Sequence, residues 1–376
     1  MTKPIKVLSV FGTRPEAVKM APLVKALEAE EGFQSVVCVT AQHREMLDAV
    51  LELFDITPDE DLNIMKHGQS ITDITVRVLE GLQEILRKIQ PDYVLVHGDT
   101  TTTFVASLAA FYQKIPVGHV EAGLRTGNPY SPYPEEMNRR LTGDIATLHF
   151  APTPKNCNHL LREGISEDKI YVTGNTVIDA LLSVVDPEFD FKDPILNQLV
   201  TEIEEHPLVV MTCHRRENWG QPMKQIFEAV KQISRRYPEH RIVYPVHMNP
   251  QIRQLAEEIM GQEKNIFLIE PLDYAPFANL LAKARLILTD SGGIQEEAPA
   301  LGVPILVLRT ETERPEAVEA GTVKITGVET EDIIRDTARL LDSQEAWKAM
   351  ANAVNPYGDG TAAQKIVEAL LKELSE

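Results

Sequence analysis

No apolar run in these 376 residues approaches the roughly 18 that a helix needs to cross a bilayer, so no membrane span is expected. The opening stretch MTKPIKVLSVFG holds too short an apolar run for a secretory signal and goes straight into a strand-like pattern. Cysteine is scarce. Cys38, Cys157 and Cys213 form neither a CxxC pair nor a zinc spacing, which fits reduced thiols in a cytoplasmic protein. Aromatic residues are only 6% of the chain, as is common where parallel strands of Val, Ile and Leu dominate. Basic residues are outnumbered, and the net charge is −19. Nucleic acid and anionic membrane both need a basic face, so neither is expected as a partner. Cations that bind a phosphate must then be concentrated locally. Three fingerprints are absent: GxGxxG, GxxxxGK[ST] and GxSxG. No His/Asp cluster has metal spacing, so no metal or cofactor is expected.

What is present is a repeated alternation of short apolar runs with helical periodicities. Strands are expected near Lys6–Val10, Ser35–Thr40, Tyr93–His97, Val117–Val120, Leu148–Ala151 and Tyr171–Thr173, with amphipathic helices such as Glu16–Glu30, Ile71–Ile89 and Thr101–Tyr112 between them. A break rich in Pro and acidic residues follows, and the rhythm restarts at Leu208–Thr212. It continues through Arg241–Val246, Ile266–Ile269, Leu286–Thr289, Pro304–Leu308 and Val323–Ile325, with helices that include Ile294–Leu301. The fold class is therefore α/β, with two Rossmann-like doubly wound domains and a cleft between them. The expected boundaries are 1–185, a linker at 186–207, a second domain at 208–358, and a C-terminal helix at 359–376. No sequence repeat relates the two halves.

In such sheets ligands bind beyond the carboxyl ends of the strands. After the first strand come Gly12, Thr13, Arg14, Pro15 and Glu16, with Lys19 close behind. Gly12 permits a sharp exit, Thr13 and Glu16 suit a capping box, and the helix N-terminus offers free N–H groups to an anion. The run His97-Gly98-Asp99-Thr100 ends another strand, where Asp99 is either an N-cap or a chemical carboxylate. Glu121 ends a third, and a Pro-rich loop leads to Glu135 and Glu136. In the second half His214, Arg215 and Arg216 are consecutive, and Ser291-Gly292-Gly293 joins a strand to a helix. That Gly-Gly turn lets backbone approach a diphosphate, with Glu297 one turn on, placed for a ribose diol.

The motifs FGTRPEAVKMAPL from Phe11, HGDTTTT from His97, GHVEAGLRT from Gly118, PYPEEMNRRLT from Pro132, HRREN from His214, TDSGGIQEEAP from Thr289 and TERPEA from Thr312 span the chain. Together they closely resemble the non-hydrolysing UDP-N-acetylglucosamine 2-epimerases of bacteria. The resemblance implies glycosyltransferase-B architecture, with the last helix crossing back to the N-terminal domain. It implies UDP-GlcNAc as substrate, contacted by Arg14, Lys19, Asp99, Glu121, His214, Phe277, Ser291, Gly292, Gly293, Glu297 and Arg314. Phe277 would lie near the uracil. Leu272 stands where relatives carry a polar residue. The resemblance further implies a homodimer and a second, activating UDP-GlcNAc at Gln42, Gln69, Glu135, Arg215 and His247, although Gly68 lies where certain relatives have an arginine nearby.

The chemistry narrows the roles. C2 of UDP-GlcNAc is not beside a carbonyl, so its proton is not acidic in the ground state. Expelling UDP from C1 acidifies it, and a carboxylate then removes it to give 2-acetamidoglucal. Cations must meet the departing diphosphate, and carboxylates must surround C1 and C2. Asp99, Glu121, Glu135 and His214 are the expected catalytic set. A glycosyltransferase of the same architecture and a hydrolysing 2-epimerase are the alternatives.

Overall fold

The computed structural model describes residues 3–41, 44–66 and 68–375, and the short aliphatic runs form its strands. The first seven are β1 (Ile5–Phe11), β2 (Phe33–Val39), β3 (Glu60–Asp61), β4 (Tyr93–His97), β5 (Val117–Val120), β6 (Leu148–Ala151) and β7 (Ile170–Val172). They pair in the order β3-β2-β1-β4-β5-β6-β7, every pair parallel. Six more follow: β8 (Leu208–Thr212), β9 (Arg241–Pro245), β10 (Ile266–Ile269), β11 (Ala284–Thr289), β12 (Ile305–Val307) and β13 (Val323–Ile325). Their order is β10-β9-β8-β11-β12-β13, again parallel throughout. The second sheet thus repeats the order of the first six strands of the first sheet, which has β7 in addition, although no repeat is visible in the residues.

Both sheets are covered on both faces, which is why their strands read as continuous apolar runs. Val7, Leu8, Val10 and Phe11 of β1 are buried, as is all of β8. The aliphatic residues of β8, β9, β11 and β12 pack on the helices Gln221–Arg236, Pro250–Met260 and Thr330–Asp342 in one core. In the first sheet, Ile71–Ile89 and Thr101–Tyr112 cover β1, β2 and β4.

Two units result: Met1–Ser183 with Tyr357–Glu376, and Val184–Pro356. The terminal helix Ala362–Ser375 is fixed in the first unit. Its opening N–H groups, at Ala362 and Ala363, donate to the Asp179 carboxylate at 3.2 and 2.8 Å, and Lys169 pairs with Glu373 near its end. The acidic stretch before β8 carries a helix, Pro194–Thr201, capped by Asp193.

Some details depart from the sequence pattern. β3 is two polar residues with no apolar signal, held by pairing of Glu60 and Asp61 with Cys38 and Val39. The helix expected at Ile294–Leu301 is instead Gly292–Glu297 followed by a tighter 3-10 turn, Ala298–Leu301. Pro299 has no N–H to continue the α pattern. Among the described residues no helix is long and apolar enough to cross a membrane.

Strand order reverses between β1 and β4, and again between β8 and β11. Ligands of doubly wound sheets bind at these switch points, outside the carboxyl ends of the strands. The loops after β1, β4, β8 and β11 are therefore where chemistry is expected.

Candidate active site

In the first unit, the loops after β1 and β4 are tied together by a buried carboxylate. Glu16 Oε2 accepts from the N–H groups of Gly12 (3.1 Å) and Thr13 (2.8 Å) and from the Thr13 hydroxyl (2.8 Å). Its Oε1 accepts from the hydroxyls of Thr100 (2.7 Å) and Thr103 (3.2 Å). Glu16 is thus more than a local cap. Gly12 is required by close approach: a Cβ there would lie 1.9 Å from Thr40 Oγ1.

Thr100 caps the helix Thr101–Tyr112, accepting from the Thr103 N–H at 3.1 Å. Capping therefore does not account for Asp99. Its carboxylate pairs with Arg139, and its backbone carbonyl accepts from Asn138 Nδ2 at 3.0 Å. Arg139 is buried on the helix Glu135–Ile145 and also reaches Glu136 Oε2 at 3.3 Å. Glu136, fully buried, accepts from the N–H groups of Thr126 (3.0 Å) and Gly127 (3.1 Å), which pins the loop after β5. The side chain of its neighbour Glu135, half-buried, makes no hydrogen bond or ion pair among the described residues.

Glu121 leaves β5 in the left-handed region, at φ 63°, uncommon for a side chain of this size. Its carboxylate pairs with Lys19, and His97 Nε2 at the end of β4 lies 3.3 Å away. Burial pushes the Glu121 carboxyl up, but Lys19 and His97 outweigh it and hold it well below the usual carboxylate range. Arg14 opens the helix Arg14–Ala29, half-buried. The structure therefore brings Lys19 to Glu121 and places Asp99 on Arg139.

In the second unit the staple is Asp290, fully buried at the end of β11. Its Oδ2 accepts from the N–H groups of His214 (2.9 Å) and Arg215 (2.8 Å) and from Asn218 Nδ2 (3.0 Å). These donors belong to the loop after β8. His214 is half-buried and stacks on His247, with ring centroids 5.5 Å apart and 12° between planes. Burial lowers the His214 ring below its ordinary value. Asp290 opposes this, while His247 and Arg215 add to it. His214 is thus mainly neutral near pH 7 without a ligand.

Ser291 precedes the helix Gly292–Glu297, and its own N–H donates to Thr289 Oγ1 at 3.0 Å. The amides of Gly292 and Gly293 occupy the first helical positions, where no intrahelical acceptor exists. The turn is bonded to a later loop: Gln295 Nε2 donates to the Ser291 carbonyl (3.0 Å), and Thr312 Oγ1 donates to Gln295 Oε1 (2.6 Å). Arg314 follows in that loop and pairs with Glu296. Glu297 folds back toward the turn, its Oε1 3.4 Å from where a Gly293 Cβ would be. Phe277 lies half-buried in the first turn of Tyr274–Ala282, with Leu272 just before that helix.

Of the five residues expected at a second site, Gln42 lies outside the described residues. Arg215 and His247 flank His214 in the second unit. Gln69 accepts from Arg77 Nη1 at 2.9 Å in the first unit, where Glu135 also lies. Sequence reasoning passed over His97, Glu136, Arg139, Asp290 and Glu296 as site residues. Arg139 carries a signal: it stands three positions after Glu136, on one helix face.

Two parallel doubly wound sheets, with carboxylates at the switch point of one and a glycine turn at the switch point of the other, define a nucleotide-sugar enzyme class of glycosyltransferase-B type. A glycotransferase of kitacinnamycin shares the fold, with a TM-score of 0.64 at 12% identity over 99% of both chains. The family is closer. A family model described as UDP-N-acetylglucosamine 2-epimerase matches residues 25–371. The UDP-N-acetylglucosamine 2-epimerase of Escherichia coli strain K12 is 55% identical over 370 residues, covering 97% of this chain and 98% of that protein. The crystal structure of the Neisseria meningitidis UDP-GlcNAc 2-epimerase bound to UDP-GlcNAc is similar, with a TM-score of 0.84, 52% identity, and 98% and 100% of the two chains covered. The chain belongs to the UDP-N-acetylglucosamine 2-epimerase family.

Proposed function

We propose that this protein reversibly inverts C2 of UDP-N-acetylglucosamine to give UDP-N-acetylmannosamine without hydrolysing it. The observation that carries the reading is the placement of Asp99 and Glu121 at the strand ends of the first unit, each held by a cation, Arg139 and Lys19. In this reading the C1–O bond breaks and UDP leaves with the bonding electrons. A carboxylate takes the C2 proton, forming 2-acetamidoglucal. Protonation at C2 from the opposite face and return of UDP to C1 complete the inversion. Asp99 and Glu121 serve in proton transfer, and Glu135 assists.

UDP is held by the second unit, through the Gly292 and Gly293 amides, Ser291, His214 and Arg314, with Glu297 at the ribose and Phe277 at the uracil. Arg14 and Lys19 add charge for the diphosphate. The Lys19 charge is the strongest force keeping Glu121 ionised, so weakening that pair would fit the carboxyl to donate a proton. Supply of ManNAc to cell-surface polysaccharide, cytoplasmic location, a homodimer and activation by a second UDP-GlcNAc at Gln42, Gln69, Glu135, Arg215 and His247 rest on the family resemblance.

Incubation with UDP-GlcNAc, followed by phosphorus and proton NMR, tests the reading. A stable mixture of UDP-GlcNAc and UDP-ManNAc is expected. Stoichiometric release of free ManNAc and UDP would make the protein a hydrolysing epimerase. An unchanged substrate pool that is consumed only when a sugar acceptor is added would make it a glycosyltransferase.

A further inference from the structure

Asp290 has one oxygen saturated and the other unused. Oδ2 accepts three hydrogen bonds from the loop after β8, whereas buried Oδ1 accepts none. Oδ1 faces His214 Nδ1 at 3.6 Å, just beyond hydrogen-bond reach. An unmatched oxygen on a fully buried carboxylate is costly, and such a group usually has a reason.

The proton count of an imidazole supplies one. A neutral ring carries a single N–H. With that proton on Nδ1, Asp290 is satisfied but Nε2 offers a lone pair, which repels an anion. With the proton on Nε2, an anion is satisfied but Nδ1 turns a lone pair on Asp290. Only the imidazolium serves both acceptors.

We propose that Asp290 is the positioning residue for His214, and that His214 takes up a proton when a diphosphate binds, with Nδ1–H closing on Asp290 Oδ1 and Nε2–H on a phosphate oxygen. This rests on the reading that His214 meets the diphosphate of UDP. The other titratable or charged groups that face the ring are Cys213 from its own strand end, Arg215 from the same loop, and His247 stacked from the loop after β9. The Cys213 thiol is pushed well up by burial and by Asp290, so it stays neutral. Arg215 and His247 disfavour a charged ring, so the uptake needs the ligand's negative charge. Before binding the ring is mainly neutral, and the cation forms only against its anion.

The consequence is a diphosphate contact that strengthens as pH falls through the range where His214 titrates in the complex. It also lets His214 hold its proton against departed UDP and release it when UDP leaves the enzyme.

Calorimetric titration of the full chain with UDP at pH 8, in buffers of different ionisation enthalpy, tests this. UDP is fully ionised there, so any proton must come to the protein. Wild type should take up a sizeable fraction of one proton per UDP. Asp290→Asn keeps an acceptor for the loop but turns an NH2 toward Nδ1. It should abolish the uptake and weaken UDP about tenfold, or 1.4 kcal/mol. His214→Gln should also abolish uptake, and it carries the test should Asp290→Asn not fold. No uptake in wild type, or full uptake in Asp290→Asn, overturns the proposal. NMR titration of His214 without ligand separates the two readings. If UDP fails to bind wild type at all, the functional reading falls. A His214 midpoint that drops in Asp290→Asn then still supports the pairing, and an unmoved midpoint overturns it.

Discussion

Glu16 and Asp290 do the same mechanical job in the two units, from opposite sides of the same crossover. Glu16 reaches from the helix after β1 to the loop after β4. Asp290 reaches from the end of β11 back to the loop after β8. Each staples two loops across a switch point, where backbone would otherwise be loosely held. They differ in saturation. Glu16 spends both oxygens on five donors. Asp290 spends one and aims the other at an imidazole. A saturated buried carboxylate can only hold shape, whereas a half-saturated one retains capacity for a proton-linked event. The carboxylates proposed to react are separate residues of the first unit, Asp99 and Glu121, each paired with its own cation.

That division is open to attack, beginning with the largest effect. Asp99→Asn should lower kcat about 10³-fold while leaving UDP affinity within roughly twofold, because chemistry and UDP binding are assigned to different units. Steady-state rates and calorimetry check this, and a parallel loss of UDP affinity would break the division. Glu16→Ala should cost about 3 kcal/mol in urea unfolding, since the Gly12 and Thr13 amides lose their acceptor. A loss under about 1 kcal/mol would show that Glu16 is no staple.

How much of this was readable in the residues divides along the same line. Strand ends and their motif residues were readable because apolar runs and turn residues are local patterns. β4, β5, β6 and β8 begin and end where the pattern places them. Partners were not readable. Arg139 and Asp99 are 40 positions apart, and Glu16 and Thr100 are 84 apart. Only the folded sheet brings them together. Glu16 showed its local capping geometry and hid its long-range bonds. Gly12 suggested a turn, but the real constraint is Thr40 on the neighbouring strand end. Asp290 stands in plain view before the Gly-Gly turn, but nothing local shows that its donors are the amides of the loop after β8, one of them 75 positions away.

A third prediction concerns acid. His119 and His149 lie in the core of the first unit. Burial is the main force lowering them, to about 3 and about 4. Unfolded histidine titrates near 6.5. The folded state therefore binds fewer protons below that pH. Stability should be full above about pH 6.5 and fall as pH drops toward 4, by up to about 2.7 kcal/mol per pH unit for the two together. Urea unfolding at pH 7, 6 and 5, with hydrogen exchange to locate the weakened unit, checks this. A flat profile would mean these rings are not held neutral. The smallest effect is expected from Arg139→Lys. Lysine cannot fork between Asp99 and Glu136, so kcat should fall about tenfold with KM little changed. Equal activity would remove Arg139 from the positioning of Asp99.

Turnover of UDP-GlcNAc in D2O, followed by NMR, bears most directly on the claim that first-unit carboxylates move the C2 proton while UDP is detached. The expected result is deuterium at C2 of the UDP-ManNAc formed. Retention of the original hydrogen at C2 through every turnover would contradict it.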